Sequence, residues 1–272
     1  MEQKTIAFIG AGNMAEAIFS GMVKSGYDKG AIIAANRGLE RLEYLKSKYD
    51  IQITQDNINA AKQADVVVLS VKPQIMADVC TLLSEVDFSD KLVVSIAAGV
   101  TCDRIASLLK ADSGIVRVMP NTPSLLGKGM SGLYANSATT TKDKEYAEQL
   151  LKSVGDICWT EDESGINSVT GISGSGPAYF FLFMEAMQLE ALNQGFDEKT
   201  ARTLVQQTAL GAAEMVVNNP DLDIGTLRER VTSKGGTTAA ALATFNEHSL
   251  KEIVSKSIQS AVARAEEMEK LF

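Results

Sequence analysis

Gly10-Ala11-Gly12-Asn13-Met14-Ala15 has the spacing G-x-G-x-x-A. That spacing suits a backbone that turns sharply at its first glycine and approaches an anion closely at its second. The apolar run from Thr5 precedes it, and Asn13 to Lys24 follows, with Met14, Ile18 and Met22 spaced as on one helix face. Strand, glycine turn and helix in that order form the setting in which a dinucleotide pyrophosphate rests on a helix N-terminus. At the end of the second strand, Ala31 to Ala35, an NAD site carries an acid for the ribose 2′-hydroxyl. Here Asn36 and Arg37 stand instead. Asn can hydrogen-bond a 2′-phosphate and Arg can fork onto it. The cofactor expected is NADPH, with NADH possible. A solvated Arg37 in the first turn of the next helix is the alternative.

Three more loops end apolar, β-rich runs: Ser70-Val71-Lys72-Pro73, Ala97-Ala98-Gly99 and Pro120-Asn121-Thr122-Pro123. In an open parallel sheet such loops share the carboxyl edge, where ligands bind. Together they predict a crevice for nicotinamide and substrate. A second chemical stretch, Val231-Thr232-Ser233-Lys234-Gly235-Gly236-Thr237-Thr238, leads into a helix from Ala239 to Asn246. Hydroxyls and free N–H groups at a helix N-terminus make an anion site that fits a small carboxylate. A helix cap by Thr237 or Ser233 is the plainer reading.

The elements needed to hold these loops are legible. Strand runs alternate with helical patterns as far as about residue 160: Ile51 to Ile53, the β-branched Asp65 to Val71, Lys91 to Ala98 and Ile115 to Met119 are strands. Arg37 to Lys48, with Leu39, Leu42 and Leu45 on one stripe, Pro73 to Leu83 and Thr101 to Lys110 are helices. Gly129 to Ala135 and Asp156 to Thr160 read as late edge strands around a helix from Lys142 to Val154. The fold class is α/β: an N-terminal Rossmann-like doubly wound sheet, residues 1–160, followed by an all-α domain, residues 161–272. In the second half, Tyr179 to Gln194 is apolar on several sides, through Phe180, Leu182, Phe183, Met187 and Leu192. Such a helix needs cover on more than one face, so this half is expected to form a homodimer.

Composition narrows the classes. The 272 residues are 45% hydrophobic and 22% charged, ordinary for a globular chain, and the net charge of −8 argues against a general nucleic-acid or anionic-membrane surface. No run is long enough to span a membrane, and the start shows no signal-peptide pattern. Cys80, Cys102 and Cys158 form neither a disulfide framework nor a metal set, which favours a reducing cytoplasm. No metal is implied. The one histidine, His248, reads as a surface residue.

The chain resembles the pyrroline-5-carboxylate reductases over essentially its whole length. The likeness rests on the glycine motif, Val71-Lys72-Pro73, Ala97-Ala98-Gly99-Val100-Thr101, Asn121-Thr122-Pro123, Gly174 to Tyr179 and Thr232 to Asn246. It implies reduction of Δ1-pyrroline-5-carboxylate to L-proline by NAD(P)H, a Rossmann domain, and a helical domain that interlocks with a second subunit, some members forming rings of five dimers. It places Gly10, Gly12, Asn13 and Met14 at the pyrophosphate and Asn36 and Arg37 at the 2′-phosphate. Asn57 falls near the adenine ribose, with Ser70, Val71, Lys72, Pro73, Ala97 and Gly99 along the cofactor groove. Asn121, Ser233, Gly235, Gly236, Thr237 and Thr238 fall on the substrate. Lys234 and Ile224 stand where proline is common in the family, and Lys234 either adds charge near the carboxylate or loosens its turn.

An iminium accepts hydride far better than a neutral imine, so the site needs a donor at the ring nitrogen. The resemblance gives that place to Thr238, a weak acid read as an orienter and proton relay. Two rivals stand beside this reading. A hydroxyacid dehydrogenase would use a lysine of the helical half, and only Lys199 and Lys234 precede residue 251 there. A non-enzymatic NADP sensor would bind the cofactor without turnover.

Overall fold

The computed structural model describes residues 2–272. Its first half alternates strand and helix: β1 (Ile6–Ile9), α1 (Asn13–Lys24), β2 (Ile32–Ala35), α2 (Leu39–Tyr49), β3 (Gln52–Thr54), α3 (Asn57–Gln63), β4 (Val66–Leu69), α4 (Met76–Leu83), β5 (Leu92–Ser95), α5 (Cys102–Leu109) and β6 (Ile115–Met119). Then come β7 (Gly129–Ala135), α6 (Thr141–Lys152), β8 (Gly155–Trp159) and the short α7 (Gly165–Val169). The remainder is helical: α8 (Gly176–Asn193), α9 (Glu198–Val217), α10 (Ile224–Arg230), α11 (Thr237–Glu247) and α12 (Leu250–Leu271).

One eight-stranded sheet carries the order β3-β2-β1-β4-β5-β6-β7-β8. The first six strands in sequence are parallel, β7 runs antiparallel to β6, and β8 runs parallel to β7. Of the two late strands expected at an edge, only β8 lies there. β7 is interior because the connection from β6 returns it directly alongside.

Alternation along each strand sorts side chains to two cores. Ile6, Phe8, Val66 and Val68 face one side, with Ile18, Phe19, Leu42, Leu45 and Leu150. Ala7, Ile9, Val67 and Leu69 face the other, with Met76, Leu83 and Ile105. A sheet covered on both faces explains why β4 reads as an unbroken run of valines and leucine. Leu39, expected on the buried stripe of α2, opens that helix at the surface instead.

Two compact units divide the chain: residues up to Pro177 together with Ser260–Phe272, and Ala178–Gln259. The strands stop at Trp159, as the change of pattern near residue 160 leads one to expect, but the units part later. The stretch after residue 160 belongs with the sheet because Val169 packs on Gly132 so closely that a Cβ there would lie 2.6 Å from its Cγ1. The tail of α12 belongs there too. Arg117, 1% exposed in β6, places Nη1 3.0 Å from Glu163 and 2.7 Å from Glu269 of that tail. The same Glu163 accepts the N–H of Cys102 at 2.8 Å.

The second unit has the opposite problem. Within residues 178–259 only Ala201 and Val205 are buried. On α8, Phe180 is 71% exposed, Phe181 62% and Leu182 66%. Each such side chain gives up about 1.5–3 kcal/mol when left in water rather than buried, so the helices require cover from outside the chain.

Two outcomes follow. Glu163→Ala should destabilise the protein by roughly 2–3 kcal/mol in urea unfolding, short of the full cost of a broken buried pair because Glu269 remains; an unchanged midpoint would refute the role given to this pair. Phe181→Asp should move the sedimentation coefficient toward that of a single chain, and an unaltered coefficient would show that the α8 face is not covered by association.

Candidate active site

At the carboxyl edge of the sheet the chain leaves β1 between β2 and β4. Gly10 adopts φ +93°, and a Cβ on it would sit 2.8 Å from the carbonyl oxygen of Ser70. Only glycine tolerates both conditions. Its N–H donates to the carbonyl of Ala35 at 2.9 Å, which ties the turn to β2. The Ser70 hydroxyl reaches the Gly10 carbonyl at 2.5 Å and that of Ile9 at 3.1 Å, so Ser70 shapes the turn from β4.

Gly12 is the N-cap of α1 and no side chain caps that helix. A Cβ on Gly12 would meet no protein atom within 4 Å. A helix N-terminus with unclaimed N–H groups, faced by a glycine with open space before it, fits a pyrophosphate. Asn13 and Met14 are the first two residues of that helix. The cradle therefore fits a dinucleotide on its geometry.

Asn36 closes β2, its N–H donating to Thr54 at 3.1 Å. Arg37 stands in the turn before α2, whose N-cap is Gly38, so it is not a first-turn residue. Its carbonyl accepts from Gln55 at 2.6 Å while its guanidinium is exposed and makes no ion pair among the described residues. That leaves the guanidinium available to a 2′-phosphate. Asn57 begins α3, where Asp56 already caps through the N–H of Asn59, so Asn57 is not occupied as a cap.

After β4, Lys72 caps a 3-10 turn from Pro73 to Ile75, and Val71 lies against Gly10. After β5, Ala97 is buried, and Gly99 takes φ +71° with its α-carbon against Met268 of α12. The packing of Met268 is thus a reason for glycine at 99 that the strand-end reading did not contain. After β6, Asn121 is 8% exposed, donates to the Ser173 carbonyl at 3.0 Å and accepts from the Met130 N–H at 2.9 Å. Its amide is committed to joining these segments. The Thr170–Gly174 stretch to which it bonds is a π-helical turn.

In the second unit, α11 begins at Thr237, with Gly236 as N-cap and no side-chain cap bond. The capping role open to Thr237 or Ser233 is therefore not filled by either. Gly235 turns the chain at φ +74°, and the Gly236 N–H closes the turn onto Ser233 at 3.0 Å. Thr238 is the second residue of α11, half-buried, and Lys234 is exposed. Ile224 is the first residue of α10, a position where proline is well accommodated. His248 is exposed at the end of α11.

Sequence reasoning passed over Arg117, Glu163 and Arg41. An arginine inside an apolar run, Ile115-Val116-Arg117-Val118-Met119, was the available signal, since a buried cation demands carboxylates nearby.

Comparison with known proteins agrees with this geometry. A family described as pyrroline-5-carboxylate reductase dimerisation matches residues 163–268, and one described as NADP oxidoreductase coenzyme F420-dependent matches residues 5–99. The chain is 61% identical to a pyrroline-5-carboxylate reductase of Vibrio alginolyticus over the full length of both. The structure of a pyrroline-5-carboxylate reductase from Coxiella burnetii superposes with a TM-score of 0.93 at 42% identity, covering 98% of this chain and 99% of that one. The Plasmodium falciparum pyrroline carboxylate reductase, solved with NADP bound, gives 0.88 at 28% identity, covering 99% of each. A glycine cradle on a doubly wound sheet, an uncapped α11 and these full-length likenesses converge: the chain belongs to the pyrroline-5-carboxylate reductase family.

Proposed function

We propose that this chain reduces Δ1-pyrroline-5-carboxylate to L-proline with NADPH, the last step of proline biosynthesis, NADH serving less well. The observation that carries the reading is that one chain holds both halves of the chemistry. A glycine turn lies before the uncapped N-terminus of α1, and a hydroxyl-bearing turn lies before the uncapped N-terminus of α11.

Bound NADPH supplies the hydride that saturates the C=N carbon. The chain must hold both molecules and deliver a proton. Gly10, Gly12, Asn13 and Met14 take the pyrophosphate, Asn36 and Arg37 the 2′-phosphate, and Asn57 the adenine ribose. Val71, Lys72, Pro73, Ala97 and Gly99 line the groove, with Ser70 shaping the turn beneath it. The N–H groups of Gly235, Gly236 and Thr237 and the hydroxyls of Ser233 and Thr237 hold the substrate carboxylate, favoured by the positive end of α11. Asn121 positions its loop rather than clamping the substrate, because its amide is already bonded on both sides. Thr238 donates to the ring nitrogen, orients the imine and relays the proton that makes it an amine. Fixing these groups in place supplies much of the rate.

The chain associates with copies of itself, as the dimerisation family and the uncovered α8 require. We take the unit to be a dimer, with the five-dimer ring as the higher assembly. Three free cysteines support a cytoplasmic setting. Among the described residues no helix is long and apolar enough to cross a membrane, and the net charge of −8 favours neither a membrane nor a nucleic-acid partner.

Steady-state oxidation of NADPH and of NADH with pyrroline-5-carboxylate tests the assignments. Arg37→Ala should raise KM for NADPH about tenfold and leave KM for NADH nearly unchanged, matching the loss of one charge-assisted contact. Equal effects on the two cofactors would remove Arg37 from the 2′-phosphate. Thr238→Ala should lower kcat by roughly 10- to 1000-fold without weakening NADPH binding, whereas a variant at full rate would end its role at nitrogen.

A further inference from the structure

We propose that Arg41 is a positioning residue for the cofactor: its guanidinium braces the Gly10–Gly12 turn from behind and cancels a carboxylate that would otherwise oppose the pyrophosphate. The inference rests on the reading that this turn receives NADPH.

Arg41 lies on α2, directly after the 2′-phosphate turn. Its Nε–H donates to the carbonyl of Ala11 at 2.9 Å, and its Nη2–H donates to Glu16 at 2.6 Å. Ala11 is the middle residue of the glycine turn, and Glu16 sits in the first turn of α1. One guanidinium edge therefore grips the backbone just before the helix N-terminus and the side chain just after it. Between those two grips lie Gly12, Asn13 and Met14, the residues expected at the anion.

Glu16 explains why the brace carries charge. A carboxylate in the first turn suits the helix dipole but repels a pyrophosphate brought to the same N-terminus. Protonation does not relieve the conflict. Burial raises the pKa of Glu16, yet hydrogen bonds from Tyr49, Lys48 and Arg41 outweigh it and hold the group at about 2. The negative charge persists at every working pH, so it must be neutralised by partners. Arg41 supplies one cation at 2.6 Å and Lys48 a second at 3.0 Å, while the Tyr49 hydroxyl donates at 2.7 Å. Lysine at position 41 would restore the charge but not the brace, because the two bonds leave from one planar edge.

The test uses the intact protein with NADPH and compares Arg41→Ala, Arg41→Lys, Glu16→Gln/Arg41→Ala and Gly12→Val. NADPH Kd is read by fluorescence titration, alongside kcat, the KM of each substrate and Tm. Arg41→Ala should raise Kd and KM for NADPH by about tenfold or more, one charge-assisted hydrogen bond's worth. The kcat at saturating NADPH should fall less than threefold and KM for the imine should hold. Arg41→Lys should recover only part of the loss. The double variant should bind NADPH more tightly than Arg41→Ala, because the opposing carboxylate is gone. Should Arg41→Ala fail to fold, Arg41→Lys and the double variant carry the comparison. A lower Tm with unchanged NADPH affinity would make Arg41 a packing residue and overturn the inference. If Gly12→Val abolishes NADPH binding while the Arg41 variants leave it intact, the inference fails and the cofactor reading stands. If Gly12→Val also leaves binding intact, the cofactor reading falls and takes the inference with it.

Discussion

Two backbones meet at the head of the sheet with no room for a side chain between them. Gly10, at φ +93°, lies so near the carbonyl of Ser70 that a methyl group would force β1 and β4 apart. Much at the carboxyl edge depends on that approach. It fixes the turn whose exit is the N-cap of α1, and so aims the free N–H groups of that helix. The Gly10 N–H to Ala35 ties the same turn to β2, whose end presents Asn36 and Arg37. Ser70 spends its hydroxyl on the turn's carbonyls rather than on a ligand. The Gly10–Gly12 turn and the Asn36–Arg37 turn are thus parts of one hydrogen-bonded piece.

The helical unit is governed by a different shortage. With two buried residues in 178–259, it cannot hold its helices together by internal packing alone. A side chain carried on such a unit, Thr238 among them, has a precise position only once the helices are covered. Association is then a condition of order in this unit as well as of stability. Arg117 solves the matching problem at the other end of the chain, holding the tail of α12 against the sheet by a buried ion pair.

Much of this was readable beforehand because it follows from local rules. The bounds of α1 were legible from spacing alone, and β4 from its β-branched run. The glycine turn and the Ser233–Thr238 turn declared themselves through residue types that few other conformations need. What stayed hidden depends on distant partners. Nothing local to Asn121 says that its amide is claimed by Ser173 and Met130, and nothing near Gly99 announces Met268. Arg41 looked like one more surface arginine until its bond to Ala11 was visible. α3 and α10 were missed because seven residues give too little periodicity.

A hydride passing from NADPH to the C=N carbon of the substrate is the central step of this chemistry. Turnover with NADPH deuterated at the transferable position of the nicotinamide, followed by mass spectrometry and NMR of the proline, tests that claim directly. The account predicts one deuterium per proline, located on the ring carbon bonded to nitrogen that was doubly bonded in the substrate. Proline without deuterium there, or no proline from folded protein that binds NADPH, would contradict it.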